Sequence, residues 1–263
     1  MKNLYLFLIL ALGFIVHSHG QELHQAPLSG DYLEYIQSVQ KKGAKSVSRN
    51  GYLPAPYRVN FDQFNMKSNL KASASLPESY DLRNKGHVTS VKDQGRFGTC
   101  WAFSSLGAIE TRLKRLEDSS YDLSEKNMAT CHGYEWGPAE GGNIYLATGY
   151  LTRFEGPIKE SQDPYGTLVQ NSQCNVHAKP TAFIPEVRYL PDDIDEVKRA
   201  IMDYGAVGTS MYASEGTDYY NESDYTWYYN GDKNTDHGIL IVGWDDNKIV
   251  RGGPKSPNTK GAW

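Results

Sequence analysis

Apolar and polar positions divide the chain into three stretches of different character. Behind Lys2 an almost unbroken apolar run extends from Leu4 to Val16 and closes on Ser18-His19-Gly20. A positive residue, a short apolar run and small residues, in that order, read as a secretion signal over residues 1–20, and the run is too short to span a bilayer comfortably. From Gln21 to about Ser75 the chain turns polar, with Pro27, Pro54 and Pro56 among several turn signals and one weakly amphipathic stretch at Tyr32 to Val39. Residues 21–75 therefore read as a pro-segment or N-terminal arm. At Leu76-Pro77 the aromatic and apolar content rises, and residues 76–263 read as one compact domain without repeats or long linkers.

Within that domain the periodicity changes character once. Behind Thr99, a candidate N-cap, Ala102, Leu106, Ile109 and Leu113 recur on one helical face, which places Cys100 in the first turn of an amphipathic helix. Further helices are expected behind Ser124, around Asn143 to Leu151, and over Ile194, Val197 and Ile201, ending at Gly205. Beyond Gly205 the signals are those of short strands. The clearest runs from His237 to Trp244, where Ile239-Leu240-Ile241-Val242 is apolar, largely β-branched and bounded by glycines. The expected class is α+β, helical in its first part and β-rich in its second.

Charge narrows the range of partners. The 27 Lys and Arg against 31 Asp and Glu give a net charge of -4, and no basic run suits nucleic acid or an anionic membrane. No other apolar stretch is long enough for a membrane span, and no Cys follows the small residues at 18–20 to carry a lipid. A soluble, exported monomer in an extracellular, periplasmic or lysosome-like compartment is expected, with neither nucleic acid nor membrane as partner. His132, His177 and the other histidines lack Cys or carboxylate neighbours at metal-ligand spacing, so no metal and no cofactor are expected. Trp101, Trp244 and the cluster Tyr219, Tyr220, Tyr225, Trp227, Tyr228 and Tyr229 read as packing.

The cysteines carry the chemistry. Three remain in the exported chain, Cys100, Cys131 and Cys174, and an odd count in an oxidising compartment implies one bridge and one free thiol. A thiol attacks only as thiolate, and a helix N-terminus with a neighbouring imidazolium favours that anion. His237 heads an apolar strand 137 residues beyond Cys100 and is the natural partner.

These residues also carry a family resemblance. The blocks QGRFGTCWAFS at Gln94 to Ser104 and DHGILIVGW at Asp236 to Trp244 resemble the two hallmark blocks of papain-family cysteine proteases, and their separation fits that family. LPESYDLR from Leu76, LSEKNM from Leu123 and EGGN from Glu140 resemble its mature N-terminus, second helix and substrate-side glycine pair. The resemblance implies a two-lobe papain-like fold with a helical lobe and a β-barrel-like lobe. It implies Cys100 as nucleophile, His237 as base and Gln94 as oxyanion donor, with Gly141, Gly142, Asp236 and Gly238 meeting a peptide or protein substrate. The expected reaction is hydrolysis of peptide bonds through an acyl-enzyme.

The resemblance also implies a bridge between Cys131 and Cys174, which leaves Cys100 free. Phe97 and Thr99 depart from the family signature, and the first family bridge has lost both partners. The closing Gly261-Ala262-Trp263 resembles the residues just ahead of the family's Asn-Ser-Trp-Gly block, so the triad's Asn and the end of the β lobe are expected to be missing. Two other readings use the same fold: a non-catalytic binding or adhesion protein, and a peptide ligase.

Overall fold

The computed structural model describes residues 26–42, 50–57, 75–135, 137–138, 140–213, 218–251, 253, 255 and 258–263. The expected signal at residues 1–20 lies outside them. The weakly amphipathic stretch forms helix α1 (Gly30–Lys42) in the N-terminal arm. The domain then runs through β1 (Ser79–Asp81), α2 (Cys100–Glu117), α3 (Glu125–Cys131), α4 (Ile144–Thr152) and α5 (Ile194–Asp203), followed by the strands β2 (Val207–Met211), β3 (Tyr220–Asn221), β4 (Thr226–Trp227), β5 (His237–Ile241), β6 (Gly243–Val250) and β7 (Thr259–Ala262).

Local chemistry explains most helix starts. Ser124 accepts a hydrogen bond from Asn127 N–H, Asn143 from Tyr145 and Leu146, and Asp193 from Glu196. Each satisfies amides that the first helical turn leaves without carbonyl partners. Thr99 departs from the expectation: its side chain caps nothing and lies 2.6 Å from the Tyr165 hydroxyl. Its backbone carbonyl still accepts from Ala102 and Phe103.

Two separate cores lie on either side of α2. One gathers Trp101, Ala102, Leu106, Leu123, Met128 and Tyr150 among the helices, and the other gathers Leu82, Ile201, Ala206 and Trp244 around α5 and the strands. Leu240 of β5 comes so near α2 that a Cβ at Gly107 would lie 2.9 Å from its Cδ2. The second lobe consists, among the described residues, of three small antiparallel sheets: β1-β6-β7, β2-β5 and β3-β4.

The apolar run from His237 to Trp244 is not one strand but two. β5 pairs with β2 from Met211↔His237 to Val207↔Ile241, while β6 pairs with β1 from Asp81↔Gly243 to Ser79↔Asp245. The handover falls at Val242, whose carbonyl accepts from Leu82 N–H at 2.9 Å. Gly243 permits it, because a Cβ there would stand 2.3 Å from the Tyr80 carbonyl oxygen.

A buried charge cluster ties the loop ahead of Cys100 to the helical lobe. The Lys92 ammonium reaches Glu110 at 2.8 Å, Glu125 at 2.9 Å, Asp122 at 2.8 Å and the Leu123 carbonyl at 3.0 Å. Glu110 also accepts from Thr89 Oγ1 at 2.7 Å and Leu123 N–H at 2.8 Å. Burial pushes Glu125 up to about 7, with the Lys92 ammonium acting in the opposite direction. Burial would lower Lys92, but the surrounding carboxylates outweigh it and raise the ammonium above its ordinary value. A bridge between Cys131 and Cys174 closes this lobe.

Candidate active site

Cys100 opens α2 and is 1 % exposed. The backbone N–H groups of Gly238 and Trp101 favour its anion, which places it between β5 and the helix terminus. Gly238 presses directly on the Cys100 backbone: a Cβ there would lie 3.1 Å from the Cys100 carbonyl carbon and oxygen. His237 is the first residue of β5, register partner of Met211 and chain neighbour of Gly238. Its Nδ1 is buried and has no hydrogen-bond partner among the described residues.

Asp236 is fixed by its backbone and side chain together. Its N–H donates to the Met211 carbonyl at 3.0 Å, and its Oδ1 accepts from Ala213 N–H at 2.8 Å. Gln94 Nε2 donates to the Phe97 carbonyl at 2.9 Å and reaches the Asn50 carbonyl at 3.4 Å. Tyr165 OH holds the same loop by donating to the Gln94 carbonyl at 2.7 Å.

The N-terminal arm runs through this constellation. Gly142 donates to the Gly51 carbonyl at 2.9 Å and accepts from Leu53 N–H at 2.8 Å, a parallel bridge with Tyr52 at its centre. Tyr52 N–H donates to the Asp236 carbonyl at 3.1 Å. The crossing is close enough to require glycines. A Cβ on Gly51 would meet Gly98 Cα at 2.2 Å, and one on Gly141 would meet the Gly51 carbonyl oxygen at 2.8 Å. Gly51 and Gly141 also have φ of +88° and +95°, where side chains are disfavoured.

Covering the thiol reverses the electrostatics expected of it. Burial is the largest influence and pushes Cys100 up to about 11; the Asp236 charge adds to it, and the N–H groups of Gly238 and Trp101 oppose it. In this covered arrangement the cysteine is held as a thiol and not as the depressed thiolate that a helix N-terminus and an imidazolium would favour.

The structure thus brings Cys100, Gly238, Asp236, Gly141 and Gly142 against one peptide segment, with Gln94 at its Asn50 end. Cys131 and Cys174 are bridged, and Cys100 is the free cysteine. Trp101 and Trp244 are buried, the latter donating to the Pro77 carbonyl at 3.1 Å. Of the tyrosine cluster, Tyr219 packs against Trp227 and Tyr229, and Tyr220 against Trp227, whereas Tyr225 is exposed, contrary to its reading as packing. Sequence reasoning missed Asn50, Gly51 and Tyr52. The one available signal was Gly51 itself, a glycine beside an aromatic residue in a segment otherwise marked by prolines. Among the described residues no group of three or more His, Cys, Asp or Glu could hold a metal ion, and no helix is long and apolar enough to cross a membrane.

A buried cysteine at a helix terminus, a strand packed on its backbone and a glycine-lined peptide track thus lie together. Residues 76–259 match the papain family cysteine protease. The chain is 34% identical over 179 residues to cathepsin L of Sarcophaga peregrina, covering 66% of this chain and 52% of that protein. It is 32% identical over 192 residues to cathepsin K of Mus musculus, covering 72% and 56%. The fold superposes on the cysteine protease and lectin-like domains of Cwp84, a surface layer associated protein of Clostridium difficile, with a TM-score of 0.70, 28% identity and coverage of 91% of this chain and 53% of that one. The chain belongs to the papain family of cysteine proteases and has its α+β fold. It spans about half the length of the curated relatives it matches.

Proposed function

We propose that this chain is the covered precursor of an exported cysteine peptidase that hydrolyses peptide bonds in peptide or protein substrates. Cys100 is the nucleophile, His237 the base and acid, and Gln94 with the Cys100 N–H the donors to the developing oxyanion. The reading rests on one observation above the others: Gly142 already holds a peptide segment in strand fashion beside a buried thiol. Residues 21–75 act as a removable arm, and residues 76–263 form the peptidase domain.

Removing the arm relieves the burial that raises Cys100 and frees its proton for the unpartnered Nδ1 of His237. The thiolate then attacks the scissile carbonyl carbon. His237 gives its proton to the departing amine as the C–N bond breaks, leaving a thioester. Water attacks that thioester, His237 takes a proton from it, and the carboxylic product leaves as the thiolate is restored. Gly141 and Gly142 admit the substrate backbone because neither has a side chain in its way.

The test is hydrolysis of a fluorogenic peptide by the full chain after cleavage within the arm, beside Cys100→Ala and His237→Ala. Each substitution is expected to lower the rate by about 10⁴-fold or more. Hydrolysis by Cys100→Ala at the unaltered rate would refute the assignment. A folded chain that binds peptide without cutting it would favour the binding-protein reading.

A further inference from the structure

The loop from Gln94 to Thr99 carries both groups assigned to the developing oxyanion: the Gln94 amide stands at one end, and the Cys100 N–H follows directly on the other. No disulfide reaches this loop, because the other two cysteines, Cys131 and Cys174, are joined to each other. One distant side chain meets both of its ends. Tyr165 OH lies 2.7 Å from the Gln94 carbonyl and 2.6 Å from Thr99 Oγ1.

Proton counting gives the direction of both bonds. A carbonyl has no proton to give, so the single phenolic proton goes to Gln94, and the Thr99 hydroxyl donates to the phenol oxygen. That hydroxyl is thereby turned toward Tyr165 and leaves the first turn of α2 without a side-chain cap. The Gln94 amide has two protons: one goes to the Phe97 carbonyl at 2.9 Å, inside the loop, and the nitrogen also reaches the arm's Asn50 carbonyl at 3.4 Å. Departure of the arm opens that second position to a substrate oxygen.

Tyr165 is itself held from three sides. Its ring meets Phe103 of α2 edge-on, with centroids 4.9 Å apart, and its N–H donates to Glu160 Oε1 at 2.6 Å. It opens a short turn (Tyr165–Thr167) that Lys126 of α3 grips by donating to Thr167 Oγ1 at 2.7 Å. The phenol therefore ties the loop to α2 and α3.

We propose that Tyr165 is a positioning residue for the oxyanion donors, its hydroxyl pinning the loop at both ends so that the Gln94 amide and the Cys100 N–H stand at a fixed separation. The proposal rests on the peptidase reading above. Removing an oxyanion donor outright costs about 10²–10³-fold in kcat, so a donor kept but displaced should cost about 10-fold to 100-fold.

The test uses the full chain after cleavage within the arm, in the parent form and as Tyr165→Phe, Thr99→Val, Thr99→Ser and the Tyr165→Phe/Thr99→Val pair. Two rates are read on each: hydrolysis of a fluorogenic peptide, which passes through an oxyanion, and alkylation of Cys100 by iodoacetamide, which does not. Tyr165→Phe is expected to lower kcat about 10-fold to 100-fold, with KM within about threefold of the parent and alkylation within about twofold. Thr99→Val should lower kcat about threefold to tenfold, and Thr99→Ser should restore the rate. The double substitution should lose little beyond Tyr165→Phe alone, because both act through one hydroxyl.

Unchanged kcat in either Tyr165→Phe or Thr99→Val would overturn the proposal, so one folded variant suffices to decide it. An equal fall in hydrolysis and alkylation would overturn it too, since the phenol would then act on the thiol or the fold and not on the oxyanion donors. In both cases, hydrolysis by the parent chain that Cys100→Ala abolishes leaves the peptidase reading standing. If the parent chain hydrolyses nothing, the peptidase reading fails and the proposal fails with it.

Discussion

Replacing Gly51 by alanine should uncover the thiol. At φ +88° an alanine costs about 1–2 kcal/mol of backbone strain, and forcing its methyl into a space where Gly98 Cα would lie 2.2 Å away adds about 1–3 kcal/mol. The two together, roughly 2–5 kcal/mol, act only on the covered state. At about 1.4 kcal/mol per factor of ten, the uncovered fraction should rise between about 30-fold and several thousand-fold. The assay is alkylation of Cys100 by iodoacetamide in the full chain, mapped by mass spectrometry between pH 6 and pH 10, with far-UV dichroism to show that the domain stays folded. When opening is fast compared with labelling, the rate follows the open fraction.

The pH profile should move as well. Covered Cys100 ionises only toward about 11, mainly because of burial, so the variant should label at lower pH than the parent chain. Gly30→Ala is the control in the same arm, since nothing lies within 4 Å of a Cβ there. If folded Gly51→Ala labels as slowly as the parent at every pH, the Gly51 crossing is not what shields the thiol.

The remaining predictions concern stability. Lys92→Met strands the buried carboxyls of Glu110 and Glu125, and loss of one partner from a buried pair costs about 3–5 kcal/mol; Tm should fall by roughly 10 °C, and a fall under about 2 °C would contradict the role assigned to the cluster. Glu125 holds its proton more tightly folded than unfolded, so its contribution is complete below pH 4.5 and is lost as pH rises through about 7. The Tm of Glu125→Gln should therefore gain on the parent across that window, and parallel Tm curves would refute the assignment. Replacing Cys131 and Cys174 together by serine opens a loop spanning 43 positions and should cost about 4 kcal/mol in a denaturant titration, with unchanged midpoints as the contrary result.

How much was legible in the sequence depended on how local each feature is. The caps at Ser124 and Asn143 act within one helical turn, and both helices begin where those residues indicate. Thr99 carries the same local signal, yet its hydroxyl goes to Tyr165, 66 positions away, which no local pattern contains. The run His237 to Trp244 announces strand but not the change of sheet, because that depends on the close approach of Tyr80 to Gly243. β2 was indistinct because Val207-Gly208-Thr209-Ser210-Met211 is short and weakly apolar, and its pairing with β5 organises it. The Cys131–Cys174 bridge followed from the family pattern and not from spacing alone. Lys92 looked like any surface lysine, since its three carboxylates arrive from the second half of α2, the loop behind it and the start of α3.

The glycine crossing also constrains how this chain can diverge. A Cβ on Gly98 would come 2.9 Å from Gly51 Cα and 3.3 Å from Gly141, so the closest of those contacts exists only while the arm is in place. Selection on the finished peptidase alone would tolerate more at Gly98 than selection on the stored precursor. Arms exchanged between relatives should fail wherever the donor lacks a glycine at the crossing, however well the rest of its sequence suits the host. Position 98 therefore records the history of the arm as much as that of the domain it crosses.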